Sequence, residues 1–149
     1  MKKIGLLLSF IMFSFFCSAQ YVDLGLPSKT LWKNANENGH YEYYDYYEAF
    51  QKYGNRLPTL EQWEELKTMC KWTWTGKGCK VVGPNGKSIY LPAEGTRDCR
   101  GNDSNMGLAG YYQTSSERYG SHIVFHFVDG VQTTIGWETC KGVSVRLVK

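Results

Sequence analysis

Four cysteines, two histidines and one acid-rich stretch are the residues of this 149-residue chain whose chemistry can be tested from spacing alone. Cys70, Cys79, Cys99 and Cys140 lie beyond the first twenty residues. Four cysteines allow three pairings, and an even number in an exported chain favours disulfides. Cys70–Cys79 would close a short loop around Trp72, Thr73, Trp74, Thr75 and Gly76, and Cys99–Cys140 would tie a long loop to the start of the last strand. This pairing is favoured because it joins near neighbours and leaves no thiol over. The alternative, one Cys₄ zinc site, fits poorly, since C-x₈-C followed by two distant cysteines is unlike the C-x₂₋₄-C knuckle.

His122 and His126 have the i,i+4 spacing of a helical metal pair. They sit in an alternating stretch, however, and on a strand the same spacing separates them by about 13 Å at 3.3 Å per residue. They are read as two solvent-facing histidines with no metal role. Asp98, Asn102, Asp103 and Asn105 cluster in a long polar stretch and make a calcium candidate, without EF-hand spacing or the Glu-Pro-Asn and Trp-Asn-Asp triplets of lectins. The expected cofactor is therefore none, with calcium kept as the alternative. Asn102-Asp103-Ser104 fits an N-glycosylation tripeptide. No G-x-S-x-G, H-E-x-x-H, Walker loop or dinucleotide fingerprint occurs, so no catalytic constellation is assigned.

Aromatic residues outnumber what a core of this size requires. Tyr41, Tyr43, Tyr44, Trp72, Trp74, Tyr112 and Trp137 are candidates for stacking on sugar faces or anchoring a protein interface. Trp32, Trp63 and Trp72 are assigned to the core. Tyr112 and Gln113, with Trp137 and Glu138, are the candidate ligand-binding residues, because they lie where strands run into turns.

Two helices must position these groups. Pro58 keeps Leu57 extended, Thr59 is an N-cap, and Gln62 completes a capping box three residues later. Leu60, Trp63, Leu66 and Cys70 then share one face, giving a helix at about 60–70. Asp45 and Glu48 form a second capping box ahead of Tyr46, Ala49, Phe50 and Tyr53, and Gly54 is a natural stop, giving a helix at about 46–53. Short strands follow. Asn85-Gly86 marks a hairpin between Lys80–Val82 and Ser88–Leu91. His122–Val128 turns at Asp129-Gly130 into Val131–Ile135, and Val143, Val145 and Leu147 alternate inward at the end. Helices followed by antiparallel strands give an α+β fold, with an early strand placed to pair with the last one.

Residues 1–19 read as a signal peptide: Lys2 and Lys3, an apolar run from Ile4 to Phe16, and a small-residue cleavage site before Gln20. Lipidation at Cys17 is the weaker reading, since Phe15 and Phe16 are bulky. The protein is expected to be exported, to the periplasm, cell surface or exterior, with no membrane insertion after cleavage. Residues 20–149 form one domain by length. Without Lys2 and Lys3, 15 basic residues face 14 acidic ones, a net charge of +1 that makes no case for nucleic acid or anionic membranes.

Tyr21-Val22-Asp23-Leu24-Gly25-Leu26-Pro27-Ser28 with Leu31-Trp32 resembles the opening of the FISUMP-type (Fibrobacter succinogenes major paralogous) domain. Leu57-Pro58-Thr59 with Trp63-Glu64-Glu65-Leu66 resembles its central helix. Trp72-Thr73-Trp74-Thr75, Gly83-Pro84-Asn85-Gly86, Leu91-Pro92-Ala93, Gly110-Tyr111-Tyr112 with Ser115-Ser116, and Gly142 with Ser144-Val145-Arg146 follow in the same order. Tyr112 stands where the family often has Trp, Thr139 where it often has Arg, and Cys79, Cys99 and Cys140 look like additions. The family is similar to the C-type lectin-like fold and to the formylglycine-generating domain. The resemblance implies two helices flanking a twisted antiparallel sheet with paired termini, and a loop-rich face that binds a ligand. The expected function is an exported, non-catalytic module that binds a glycan or a protein surface. The alternatives are a structural or assembly subunit of a bacterial surface appendage or complex, and a secreted effector or toxin using the fold for recognition. An oxidase of the formylglycine kind is disfavoured, because no partner cysteine aligns with Cys140.

Overall fold

The computed structural model describes residues 20–37, 39 and 41–149. The expected signal peptide and the Cys17 alternative lie outside these residues. The chain is mixed α and β, with antiparallel strand pairs throughout.

Both capping boxes form. Helix α1 spans Tyr46–Tyr53, and the Asp45 side chain accepts from the Glu48 N–H while Glu48 returns the bond to the Asp45 N–H. Gly54 ends α1 at φ 51°, with its N–H bonded to the Phe50 carbonyl. After a 3-10 turn, Gly54–Arg56, helix α2 spans Leu60–Met69 behind the Thr59/Gln62 box. Cys70 is already extended, at φ −107° and ψ 155°, so it leaves the helical face it was expected to share.

The strands form four small sheets and not one continuous sheet. Strands β1 (Tyr21–Asp23) and β2 (Leu31–Lys33) pair with each other. Strands β3 (Lys71–Trp74), β4 (Gly78–Val82) and β5 (Ser88–Pro92) make a meander. The β4–β5 connection, Gly83–Lys87, encloses a three-residue turn, Pro84–Gly86: the Gly83 N–H bonds the Lys87 carbonyl, the Gly86 N–H bonds the Gly83 carbonyl, and Gly86 sits at φ +85°. Pro84 pre-sets the first central position, and only glycine adopts the third without strain. Within the long polar stretch, β6 (Thr96–Arg97) and β7 (Asp103–Ser104) make a short hairpin. Strands β8 (Ala109–Arg118), β9 (Ser121–Val128) and β10 (Val131–Trp137) form a sheet with β9 in the middle.

The last residues run extended between these sheets. Leu31 and Lys149 exchange backbone hydrogen bonds at 2.8 and 3.1 Å, Val143 and Tyr44 at 3.0 Å each, and Ser144 bridges Tyr112 in parallel. The C-terminal segment thus closes onto β2, the start of α1 and β8 together.

Within the β8–β9–β10 sheet, most of β8 and β9 is buried on both faces, and β10 is more open. Tyr112, Phe125 and Phe127 join Trp32, Trp63 and Leu66 in the main core. On the other side Tyr111, Val124 and Ala109 pack with Val143, Ile135 and Trp137. His122, opposite Trp137 in register, is 3% exposed and lies 4.3 Å from the Tyr46 ring. The solvent-facing reading of His122 is therefore corrected: α1 and Trp137 cover that face. His126 is half-buried against Tyr111. Both histidines are on one strand, as the no-shared-ion reading required.

Cys99 and Cys140 form a disulfide with a Cα–Cα distance of 5.2 Å. Cys70 and Cys79 are free thiols, which corrects that half of the expected pairing. Cys79 pairs with Trp74 across β3–β4, and Cys70 lies four extended residues further along, about 13 Å away, where a disulfide tolerates at most about 7 Å between Cα atoms. Burial pushes both thiols up to about 11, with Glu65 adding to the shift at Cys70 and Asp129 at Cys79. They are packing residues and not nucleophiles.

Candidate functional site

The four residues expected to form one ligand patch do not meet. Tyr112 and Gln113 are both 0% exposed and point to opposite faces of β8. The Tyr112 ring stacks on Phe127 at 5.9 Å and packs tilted against Trp63 at 5.5 Å, and its hydroxyl donates to the Pro92 carbonyl at 2.8 Å. Gln113 Nε2 donates to the Tyr44 carbonyl at 2.8 Å. Trp137 is half-buried against Tyr111, and Glu138 is exposed and paired with Lys141. Strand alternation explains the miss, because adjacent residues cannot share a face when both faces are covered.

A different concavity gathers the tyrosine-rich run. Tyr41, Glu42, Tyr43 and Tyr44 line a groove of about 710 Å³ together with Glu48, Gln51 and Lys52 of α1 and Arg97 of β6. Local chemistry fixes each wall. Tyr44 is pinned by its paired bonds to Val143, and its hydroxyl lies 3.0 Å from that of Tyr53. The Tyr43 hydroxyl donates to the Glu94 carbonyl at 2.6 Å. Burial, with Asp103 and Glu94 nearby, pushes that phenol up to about 12. Gly142 lies beneath it, and a Cβ there would come within 2.8 Å of Tyr43 Cβ, so a side chain at 142 would displace the ring. Tyr41 enters at φ 57°, a left-handed conformation that costs a bulky residue about 1–3 kcal/mol and occurs preferentially at binding sites.

The groove carries two carboxylates, Glu42 and Glu48, and two cations, Lys52 and Arg97. Both cations are engaged. Arg97 makes a two-point ion pair with Asp103 at 2.7 and 3.2 Å and lies 5.1 Å from the Tyr43 ring centre. That bond holds the Arg97 guanidinium above its ordinary range and the Asp103 carboxyl below it. Lys52 sits over the Tyr44 and Tyr53 rings at 5.3 and 5.4 Å. The groove is thus amphipathic, with exposed Tyr41 and Gln51 and no charge of either sign in excess.

Through the Tyr43–Glu94 bond the groove adjoins a buried polar network. Ser144 Oγ and Asn36 Nδ2 both donate to Glu94 Oε2 at 3.3 Å, and Asn36 also reaches the Tyr112 hydroxyl at 3.1 Å. Arg146 is 1% exposed, and its guanidinium donates to Asn36 Oδ1, the Lys33 carbonyl and the Tyr90 carbonyl at 2.8, 2.9 and 2.7 Å. Burial pulls the Arg146 guanidinium below its ordinary range, while Tyr112, Glu94 and Glu37 oppose that pull. Asn36, Tyr90, Pro92, Glu94 and Arg146 border a second cavity of about 350 Å³. Because these bonds run to the 33–36 segment, to β5 and to the residues just after it, the network fixes the base from which the tyrosine run leaves.

No family model, curated protein or solved structure matches the chain.

The calcium candidate is spent internally. Asp98 accepts from the Asn102 and Arg100 N–H groups at 2.9 and 2.8 Å and from Asn102 Nδ2 at 3.1 Å, which holds its carboxyl below the ordinary range. Asp103 is committed to Arg97, so both carboxylates of this loop make bonds within its own hairpin. Asn102 is exposed, and its side-chain nitrogen is turned to Asp98. Arg97, Gln51 and Glu94 carried no sequence signal, and Arg146 entered only through the motif Ser144-Val145-Arg146 with no site role. Arg146 alternates with inward Val145 and Leu147 and so reads as outward-facing, yet the Asn36 segment covers it.

Proposed function

We propose that the protein is an exported, non-catalytic recognition module of C-type lectin-like, FISUMP-type architecture that binds a neutral glycan in the groove between Tyr41–Tyr44 and α1. The observation that carries this reading is the groove's composition. Exposed Tyr41 offers an aromatic face, and Gln51, Glu42 and Glu48 are hydroxyl partners. Both cations are held by Asp103 and by aromatic rings, so the groove does not select an anion. The Cys99–Cys140 disulfide supports an oxidising compartment, in keeping with a cleaved signal at residues 1–19. Among the described residues no helix is long and apolar enough to cross a membrane.

A glycan array with the purified protein tests the reading. Saturable binding that falls at least tenfold in Tyr41→Ala, and more mildly in Gln51→Ala, with unchanged unfolding midpoints, supports it. Absence of saturable glycan binding, or a ligand indifferent to Tyr41→Ala, overturns it.

One observation favours a protein partner as a second reading. Tyr47 and Phe50 of α1 are 67% and 49% exposed and three residues apart on one helical face. An assembly subunit would lose its oligomer or partner with Phe50→Asp, read by native mass, whereas a free glycan binder would not.

A further inference from the structure

The Cys99–Cys140 bridge has a third participant. Glu138 is two residues before Cys140, and its Oε2 lies 3.8 Å from Cys99 Sγ. One ligand atom from each of Cys99, Glu138 and Cys140 falls within 4.8 Å of the others, and this is the one such group among the described residues. We propose that the reduced form of this bridge is a zinc site, with Cys99 and Cys140 thiolates and the Glu138 carboxylate as ligands and solvent in the fourth position.

The geometry needs little rearrangement. Tetrahedral zinc with ordinary bond lengths places two sulfurs about 3.8 Å apart and a sulfur and an oxygen about 3.6 Å apart. The Glu138 oxygen, 3.8 Å from Cys99 Sγ, already stands close to that distance. Opening the S–S bond lets the sulfurs separate, and the backbone holds both segments in reach, because Arg97 and Gly142 exchange backbone hydrogen bonds at 2.9 Å. Lys141 Nζ binds the other Glu138 oxygen, Oε1, at 2.7 Å. It therefore orients the carboxylate and leaves Oε2 facing the sulfurs, as an outer partner does in a metal centre. Two thiolates, one carboxylate, Zn²⁺ and Lys141 sum to zero charge. The mixed sulfur and oxygen donors suit zinc rather than calcium or magnesium. All three ligand residues are exposed, so both reductant and metal reach them. Cys70 and Cys79 offer no competing site, since their thiols are partly or fully buried and are held protonated.

An external dithiol or phosphine gives two electrons to the S–S bond and is itself oxidised. The two sulfurs take up two protons, and Zn²⁺ then displaces both protons to solvent.

The test is zinc retention by the purified protein, oxidised and phosphine-reduced, after removal of reductant under argon. Reduced protein is expected to keep one zinc per chain and oxidised protein none. Cadmium in place of zinc is expected to give the near-ultraviolet sulfur-to-metal absorption. Cys99→Ser abolishes retention, and Glu138→Ala, which preserves the disulfide-forming cysteines, weakens affinity at least tenfold. Equal zinc in both redox states overturns the proposal. So does no zinc in a reduced protein that keeps its far-ultraviolet spectrum, or binding indifferent to Glu138→Ala.

Discussion

The two faces of the β8–β9–β10 sheet are both packed and chemically unlike. On one, Trp63 stacks on Phe125 at 4.5 Å with rings 7° from parallel, and Trp32 and Tyr112 enclose the pair. The polar handles of that face are mostly satisfied: Trp63 Nε1 donates to the Gln113 carbonyl and Trp72 Nε1 to the Leu66 carbonyl. Trp32 Nε1 is the exception among these indoles. On the other face, neither ring nitrogen of His122 has a hydrogen-bond partner among the described residues, and Trp137 Nε1 lacks one too. Burial of apolar area and ring stacking hold the first face, and those forces are indifferent to pH. The second face is held on condition that its histidines stay neutral.

The largest effect should come from the first face. Trp63→Ala removes the ring around which Trp32, Tyr112 and Phe125 assemble, and a buried Trp→Ala substitution costs about 3–5 kcal/mol. Denaturant unfolding should show this loss equally at pH 7.5 and pH 5. A loss that grows on acidification would break the separation between the faces.

The second face should respond to acid. Burial pushes His122 from 6.5 down to about 4, and Glu117, its neighbour across β8–β9, only partly opposes this. Between those two values the unfolded chain binds a proton that the folded chain refuses. Stability is therefore full above about pH 6.5, falls as pH drops toward 4, and levels off below. The loss from His122 is at most about 3 kcal/mol. His126, also lowered by burial, contributes with the same sign. His122→Phe should remove most of the slope of stability against pH between 6.5 and 4. An unchanged slope would place the acid sensitivity elsewhere.

Sequence made the helices legible because capping is local. Asp45 with Glu48 and Thr59 with Gln62 specify both starts within three residues, and Gly54 the first stop. The β4–β5 hairpin was equally local. What was illegible depended on what covers a strand's second face. His122 alternates with Ile123 and so reads as outward, and only the arrival of α1 buries it. The same holds for Tyr112 and Gln113, which look like strand-end surface residues until the C-terminal segment and Tyr44 close over them. Cys70 was misjudged because the helix ends one residue before it, and extended chain carries it away from Cys79. The groove assembles from Tyr41–Tyr44, α1 and Arg97, three segments with no common pattern.

The smallest effect separates the faces most cleanly, because each capped helix serves one of them. Thr59 starts the helix that carries Trp63, and Asp45 starts the helix whose first residue, Tyr46, packs against His122. Thr59→Ala and Asp45→Ala should each cost about 1 kcal/mol at neutral pH, the ordinary worth of an N-cap. Their acid responses should differ. Loss of the Asp45 cap frays the first turn of α1, lets water reach the imidazole past Tyr46, and moves His122 back toward its ordinary range. The slope of stability between pH 6.5 and 4 should then shrink in Asp45→Ala and stay intact in Thr59→Ala. An NMR titration of His122 in both variants reads this directly. A raised His122 midpoint in Thr59→Ala as well would mean that the two faces loosen together, and that the sheet transmits through its thickness what the caps hold at its surfaces.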